Sequence, residues 1–208
     1  MAFYQRLAKD YKNSPFVSES NFAVGEFYFE NEKFKDALGY YQDAAKNKRG
    51  RLYTMALYKT AWCHYRMGKV SSAKEILERV VKISREKGDD EGGGVGRPSV
   101  NRIRLASEAI KDLILFYGDA GEPQGAKQYF LNIAGEKVLF SVLEKLAFRY
   151  SDIGKRYSAR FLFKEILSMK PTAPKAVYYQ YQIDMMYMTS GTQGVFRQEM
   201  YDWIQGYA

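Results

Sequence analysis

A fourfold repeat of small and large apolar residues constrains the fold of this chain more than any other feature of its sequence. In segment 23–45 the small residues Gly25 and Ala37 lie twelve positions apart, and Tyr41 follows four positions later. Segment 59–81 keeps the same spacing. The corresponding residues there and in two further copies are Ala61, Ala73 and Leu77, then Ala126 and Phe130, and finally Ala147, Ala159 and Phe163. A pattern repeated in one frame indicates a repeat architecture.

The spacing within each copy predicts a pair of helices. Apolar residues recur at three and four positions, which places them on one face of a helix. Small residues where the helices cross allow a close approach, and Gly68, Gly121 and Gly154 are expected as C-caps of the first helices. Because one pair cannot bury its own apolar stripe, the pairs must stack. The expected class is therefore all-α.

The repeat resembles the tetratricopeptide repeat family, whose pattern is W-x2-L-G-x2-Y, then A-x3-F, then P. Segment 24–41 matches through Val24-Gly25-x2-Tyr28 with Ala37 and Tyr41, and segment 146–171 matches through Leu146-Ala147-x2-Tyr150 with Ala159, Phe163 and Pro171. The resemblance implies a right-handed superhelical solenoid of antiparallel helix pairs, with about four to five repeats. It also implies a protein-binding scaffold.

Counting from this resemblance, repeats start near Ser18, Thr54, Ser107, Phe140 and Pro174. The expected organisation is one array over 1–208, with N-terminal repeats in 1–84, an inserted flexible loop in 85–102, and C-terminal repeats and a cap in 103–208. The glycine-rich loop lacks G-K-[ST], and Gly92-x-Gly94 is followed by Arg97 where G-x-G-x-x-G needs a glycine, which argues against a phosphate loop. Two roles for this loop are left as alternatives: a hinge between the N-terminal and C-terminal repeats, and a flap that contacts a partner. The opening segment reads as the second helix of an earlier repeat, so an excerpt from a longer protein is expected.

A narrower resemblance concerns cellular location. The Y-x-x-S-P motif at 11–15, followed by segment 24–38, is similar to bacterial cell-envelope repeat proteins of the outer-membrane assembly lipoprotein and gliding-motility types. That similarity implies the periplasm or cell envelope of a Gram-negative bacterium, with the cytoplasm as the alternative. The apolar runs are too short to span a bilayer.

The only cysteine, Cys63, adjoins the only histidine, His64, and this pair raises the question of catalysis. Neighbouring helical residues point about 100° apart, so the two side chains do not face each other. In the repeat frame His64 takes the slot of Tyr28, Tyr117 and Tyr150, which predicts a packing residue, and Cys63 is expected to be a small buried one. One His and one Cys also provide no metal cluster. We therefore expect no enzyme, no cofactor and no metal.

The concave face formed by the first helices is the predicted binding surface. Projecting the family's groove positions onto the chain gives a mostly aromatic set, in which Arg66 and Lys111 would pair with partner carboxylates: Phe22, Phe29, Tyr58, Trp62, Tyr65, Arg66, Lys111, Leu115, Phe148 and Tyr178. Aromatic residues and Arg are frequent in binding hot spots. The competing interpretation is that these aromatics pack against a neighbouring repeat or a C-terminal segment. The net charge of +8 leaves an anionic polymer, such as nucleic acid or an envelope polysaccharide, as the alternative partner.

Overall fold

The computed structural model describes residues 2–11, 14, 16–89 and 100–207, and this part of the chain is helical with short turns. The eleven helices in it are α1 Ala2–Asp10, α2 Val17–Glu30, α3 Phe34–Ala44, α4 Tyr53–Arg66, α5 Val70–Asp89, α6 Val100–Ala120, α7 Pro123–Ala134, α8 Glu136–Asp152, α9 Arg156–Met169, α10 Ala176–Thr189 and α11 Gln193–Tyr207. The all-α prediction is confirmed.

The helices group into two compact units, Met1–Ala120 (unit 1) and Gly121–Ala208 (unit 2). Within each unit, every helix packs against the next one along the chain. The two helices of the predicted third repeat, α6 and α7, therefore fall in different units. The arrangement of 1–208 as one array remains a prediction.

Unit 1 shows the antiparallel helix pairs that the repeat predicts. The ring of Phe22 near the start of α2 lies 5.5 Å from that of Tyr41 near the end of α3. The ring of Phe29 near the end of α2 lies 5.3 Å from that of Phe34 at the start of α3. These two contacts require that α2 and α3 run in opposite directions.

The repeat positions form the cores of the helix pairs. The second-helix residues Ala37, Tyr41, Ala73 and Leu77 are fully buried, as are Ala126, Phe130, Ala159 and Phe163 in unit 2. Gly25 permits the closest crossing, because a Cβ added there would lie 2.8 Å from the Tyr41 ring. The small residue of the repeat at Gly25 is therefore required by the close approach of the Tyr41 ring.

The predicted glycines lie in the turns after the first helices α4, α6 and α8. Gly68 and Gly154 both have φ of 76°, the left-handed conformation of a helix C-cap. Helix α6 ends at Ala120, so Gly121 lies directly after the helix as predicted, and its carbonyl accepts a hydrogen bond from Tyr150 Oη at 2.8 Å. After α2, Glu32 takes the left-handed position with φ of 58°.

The expected loop 85–102 is described only at its ends. Helix α5 continues to Asp89 and α6 begins at Val100, so both helices extend into the segment. The glycine-rich residues 90–99, on which the hinge and flap hypotheses depend, lie outside the described residues.

Candidate partner-binding surface

The first helices of unit 1 lie side by side and run parallel. Lys59 Nζ of α4 contacts Glu26 of α2 at 2.9 Å, and Arg66 of α4 contacts Glu32 after α2 at 3.3 Å. Both pairs are 33 or 34 residues apart, which is one repeat. Between α4 and α6 the corresponding separation is 54, as in the contact of Tyr58 with Asp112. The predicted groove residues of unit 1 are therefore carried by neighbouring parallel helices.

Asp112 of α6 accepts hydrogen bonds from two of the predicted groove aromatics. Tyr58 Oη donates a hydrogen bond to Asp112 Oδ2 at 2.6 Å, and Trp62 Nε1 donates to the same oxygen at 2.9 Å. All three side chains are half-buried. Burial raises the pKa of Asp112 above its ordinary value, although the two hydrogen bonds oppose this shift. The carboxylate thus joins α4 to α6.

Tyr65 belongs to the same contact between neighbouring first helices. Its ring stacks on that of Phe116 with centroids 3.9 Å apart, and its hydroxyl donates to Asp119 Oδ2 at 2.5 Å. Trp62 meets Phe116 edge-on at 5.3 Å. Phe116 is fully buried. These aromatics therefore pack between repeats in unit 1, as the competing interpretation held.

The remaining groove residues of unit 1 are also engaged within the chain. Phe22 and Phe29 are partly buried against the cluster of Ala37, Tyr41 and Cys63. Arg66 lies over the ring of Phe34, with its Cζ 4.5 Å from the centroid. Lys111 Nζ pairs with Glu108 at 2.9 Å, and Leu115 is half-buried. Their role in binding remains a prediction.

In unit 2 the structure brings Phe148 and Tyr178 together. Their rings stack with centroids 6.0 Å apart across α8 and α10, and Tyr178 remains 48% exposed. Beside them Glu144 accepts hydrogen bonds from Lys175 at 2.7 Å and Tyr179 at 2.9 Å. Burial raises the pKa of Glu144, but these two donors outweigh it and the net pKa is lowered. The carboxylate is therefore held ionised.

The solvent-facing side of α10 carries further large apolar residues that the repeat frame did not identify. Val177 is 57% exposed, Tyr181 is 53% exposed, and Met188 is 48% exposed. Val177 and Tyr181 are four positions apart, so they share one helix face. The sequence did contain a signal, because ten of the thirteen residues in segment 176–188 are apolar or aromatic. We call Phe148, Val177, Tyr178 and Tyr181 the α8–α10 face.

The environment of Cys63 gives its thiol no activation. Cys63 is fully buried, as predicted, and burial raises its pKa to about 12. A catalytic cysteine needs the opposite shift, toward the thiolate. His64 is half-buried, and burial together with the charge of Lys69 lowers its pKa. The pair has the character of packing residues.

Metal-binding clusters and membrane-spanning helices are absent from the described part of the chain. It contains no group of three or more His, Cys, Asp and Glu side chains arranged to hold a metal ion. No helix in it is both long and apolar enough to span a membrane. A cavity of about 430 Å³ near the start of unit 1 is lined by Phe3, Arg6, Leu7, Tyr11 and Ser14, none of which belongs to the predicted groove.

Comparisons with known proteins support the repeat family for part of the chain. Residues 55–84, which span most of α4 and α5, match the family model of the tetratricopeptide repeat. No curated protein matches the chain. The described helix pairs are consistent with this family, whose members act as protein-binding scaffolds.

Several solved helical-repeat structures align with most of the chain at low identity. BtubC (BKLC) from P. vanneervenii is 16% identical, with 96% of this chain and 85% of that chain covered and a TM-score of 0.47. TPR-like repeats of a protein named as a kinesin light chain from Podosopora anserina are 15% identical, with 90% and 93% covered and a TM-score of 0.46. MamA of MSR-1 is 15% identical, with 93% and 99% covered and a TM-score of 0.43.

Proposed function

We propose that this protein is a non-enzymatic scaffold that binds a segment of a partner protein on the α8–α10 face. The observation that carries the proposal is the exposed aromatic pair of Tyr178 and Tyr181, with Tyr178 stacked on Phe148. Exposed apolar clusters on a folded surface mark interaction sites. Tyrosine suits such a site because a rigid ring offers contact area at low entropy cost.

The polar surroundings of this face favour a peptide partner with mixed character. Glu144 and Lys175 form an ion pair beside the stacked rings, and 63% of the Lys175 side chain is exposed. The ammonium group can therefore also contact a partner carboxylate or main-chain carbonyl, while the rings bury apolar side chains. Such a polar rim around an apolar centre is typical of protein interfaces.

The first helices of unit 1 contribute less to this proposal. A Trp62→Ala substitution is expected from the sequence to abolish binding without unfolding the chain. In the structure Trp62 donates to Asp112 and packs on Phe116, so its loss should also weaken the contact between α4 and α6. Substitutions in unit 2 therefore test binding more directly.

Selection of peptides from a random phage-displayed library on the purified chain tests the proposed surface. We expect selected peptides to lose at least about tenfold in affinity, measured by fluorescence polarisation, for Tyr178→Ser/Tyr181→Ser. The matched control is Tyr157→Ser/Tyr201→Ser, because these tyrosines of unit 2 are each 61% exposed on other helices. Equal losses for both variants, or no enriched peptide, would contradict the proposal.

We place the scaffold in a cell-envelope assembly, on the basis of the narrower sequence resemblance. Fractionation of the source cells, with an antibody against this chain, checks the location. Recovery in the periplasmic or membrane fraction is expected. Recovery in the cytoplasmic fraction would contradict the envelope location and support the cytoplasmic alternative. Binding of an anionic polymer remains the second prediction from the net charge.

A further inference from the structure

One end of unit 1 carries a cluster of exposed cations that the proposed function does not use. Lys48, Arg49 and Arg51 are exposed in the turn between α3 and α4, and Arg104 is exposed near the start of α6. None of these four side chains makes an ion pair with another residue in the described part of the chain. Some other cations of unit 1 pair with acids, as Lys59 does with Glu26.

The helix registers place these cations at the same level. Helices α4 and α6 run parallel with an offset of 54, as the contacts of Tyr58 with Asp112 and of Tyr65 with Asp119 show. Arg104 therefore lies level with position 50, inside the turn that carries the other three cations. The turn and the start of α6 form one surface, which we call the cationic end.

Two exposed aromatic residues lie at the same end. Phe16 immediately precedes α2 and is 63% exposed, and Tyr11 immediately follows α1 and is 61% exposed. The α2–α4 offset of 33 to 34, given by the contacts of Lys59 with Glu26 and Arg66 with Glu32, puts Phe16 level with positions 49 and 50. An apolar ring thus lies level with the unpaired cations.

Acidic residues at this end do not neutralise the cluster. Asp43 pairs with Lys46 at 2.6 Å, and Glu86 pairs with Lys82 at 3.7 Å. Glu19 is half-buried, and its Oε2 has no contact with solvent. Segment 87–103 contains three acidic and three basic residues, so it carries no net charge.

We propose that the cationic end, with Lys48, Arg49, Arg51, Arg104 and the ring of Phe16, docks on the surface of an anionic lipid bilayer. Basic side chains near such a surface gain about fivefold in affinity each. A bilayer accepts cations on turn tips without a matching shape, whereas single-stranded nucleic acid binds along a positively charged groove that follows its backbone. Phe16 and Tyr11 would occupy the interface, where aromatic residues are enriched.

Sedimentation with vesicles tests the proposal on the full chain. We expect binding to phosphatidylcholine vesicles with about 30% phosphatidylserine, none to phosphatidylcholine alone, and a steep fall as salt rises from about 0.05 M to about 0.5 M. Lys48→Gln/Arg49→Gln/Arg51→Gln should lose about 100-fold in affinity. Phe16→Ser should lose about tenfold, because the ring no longer enters the interface.

The matched control changes the same number of charges at the opposite end of unit 1. Lys33, Lys35 and Lys69 are exposed in or beside the turns after α2 and α4. Lys33→Gln/Lys35→Gln/Lys69→Gln should lose less than about fivefold. Equal losses for the two triple variants would overturn the proposal, as would absence of binding to the anionic vesicles. Tighter binding to polyuridylic acid than to these vesicles, lost in the first variant, would overturn it in favour of nucleic acid.

Discussion

Removing the Asp112 carboxylate should show how much the hydrogen bonds of the Tyr58 and Trp62 side chains contribute to stability. Asp112→Ala leaves Tyr58 Oη and Trp62 Nε1 without the acceptor that they share. Asp112→Asn keeps an amide oxygen that can accept from them. The two variants thus differ chiefly in whether the link between α4 and α6 survives.

The expected magnitude follows from the burial of this link. A hydrogen bond to a charged group contributes about 1.5 to 3 kcal/mol. Tyr58, Trp62 and Asp112 are only half-buried, so water can replace part of each bond. We therefore expect Asp112→Ala to lower the free energy of unfolding by about 2 to 3 kcal/mol in total, and Asp112→Asn by less than about 1 kcal/mol.

Urea denaturation in a Trp203→Phe background measures this difference. Trp62 is then the only tryptophan, so fluorescence reports on the contact itself, and far-UV circular dichroism reports on the helices. With an m-value of about 2 kcal/mol/M, Asp112→Ala should lower the midpoint by roughly 1 M. Equal midpoints for Asp112→Ala and Asp112→Asn would refute the argument that these hydrogen bonds join the helices.

The pH dependence of the same variants has a defined sign. Burial raises the pKa of Asp112 in the folded state, so the folded protein holds this proton more tightly than the unfolded chain. Stability therefore falls as pH rises above the ordinary aspartate pKa of about 4. Asp112→Asn lacks this contribution. Its stability relative to the parent should increase between about pH 4 and pH 7, and a decrease would contradict the assigned direction.

The remaining predictions concern single residues of unit 1. Gly25→Ala should lower the free energy of unfolding by about 1 to 3 kcal/mol, because its Cβ would meet the Tyr41 ring. Gly39→Ala, which meets nothing within 4 Å in α3, should raise it by about 0.5 to 1 kcal/mol, and urea midpoints compare the pair. Glu32→Gly should be neutral or stabilising by up to about 1 kcal/mol in a thermal melt, since φ of 58° disfavours side chains. Cys63 should react with a thiol reagent only after unfolding, because it is fully buried with a pKa of about 12; rapid reaction of the native chain would contradict this burial.

The sequence predicted the parts of the fold that depend on contacts within one helix pair. Ala37, Tyr41 and the close crossing at Gly25 follow directly from the repeat spacing, because each pair buries the same positions. The burial of Cys63 follows from the same frame. The division at residues 120 and 121 could not be predicted, because it falls inside the third copy of the pattern.

The candidate site was less predictable because exposure depends on neighbouring repeats as well as on the helix face. Tyr58 and Trp62 occupy predicted groove positions. Both donate hydrogen bonds to Asp112, which lies one repeat and an insertion further along the chain. No residue of the repeat signature identifies that aspartate. The spacing within one copy therefore predicts which way a side chain points, but it cannot predict which side chain it meets.

Unit 2 shows the opposite outcome for the same groove positions. Across α8 and α10 the carboxylate of Glu144 accepts hydrogen bonds from Lys175 and Tyr179. Tyr178 is left to stack on Phe148, with nearly half of its surface exposed. One repeat frame thus gives an aromatic contact that joins helices in unit 1 and an open aromatic face in unit 2. The difference lies in which side chains donate hydrogen bonds to the neighbouring carboxylate, which is why we propose binding at the α8–α10 face.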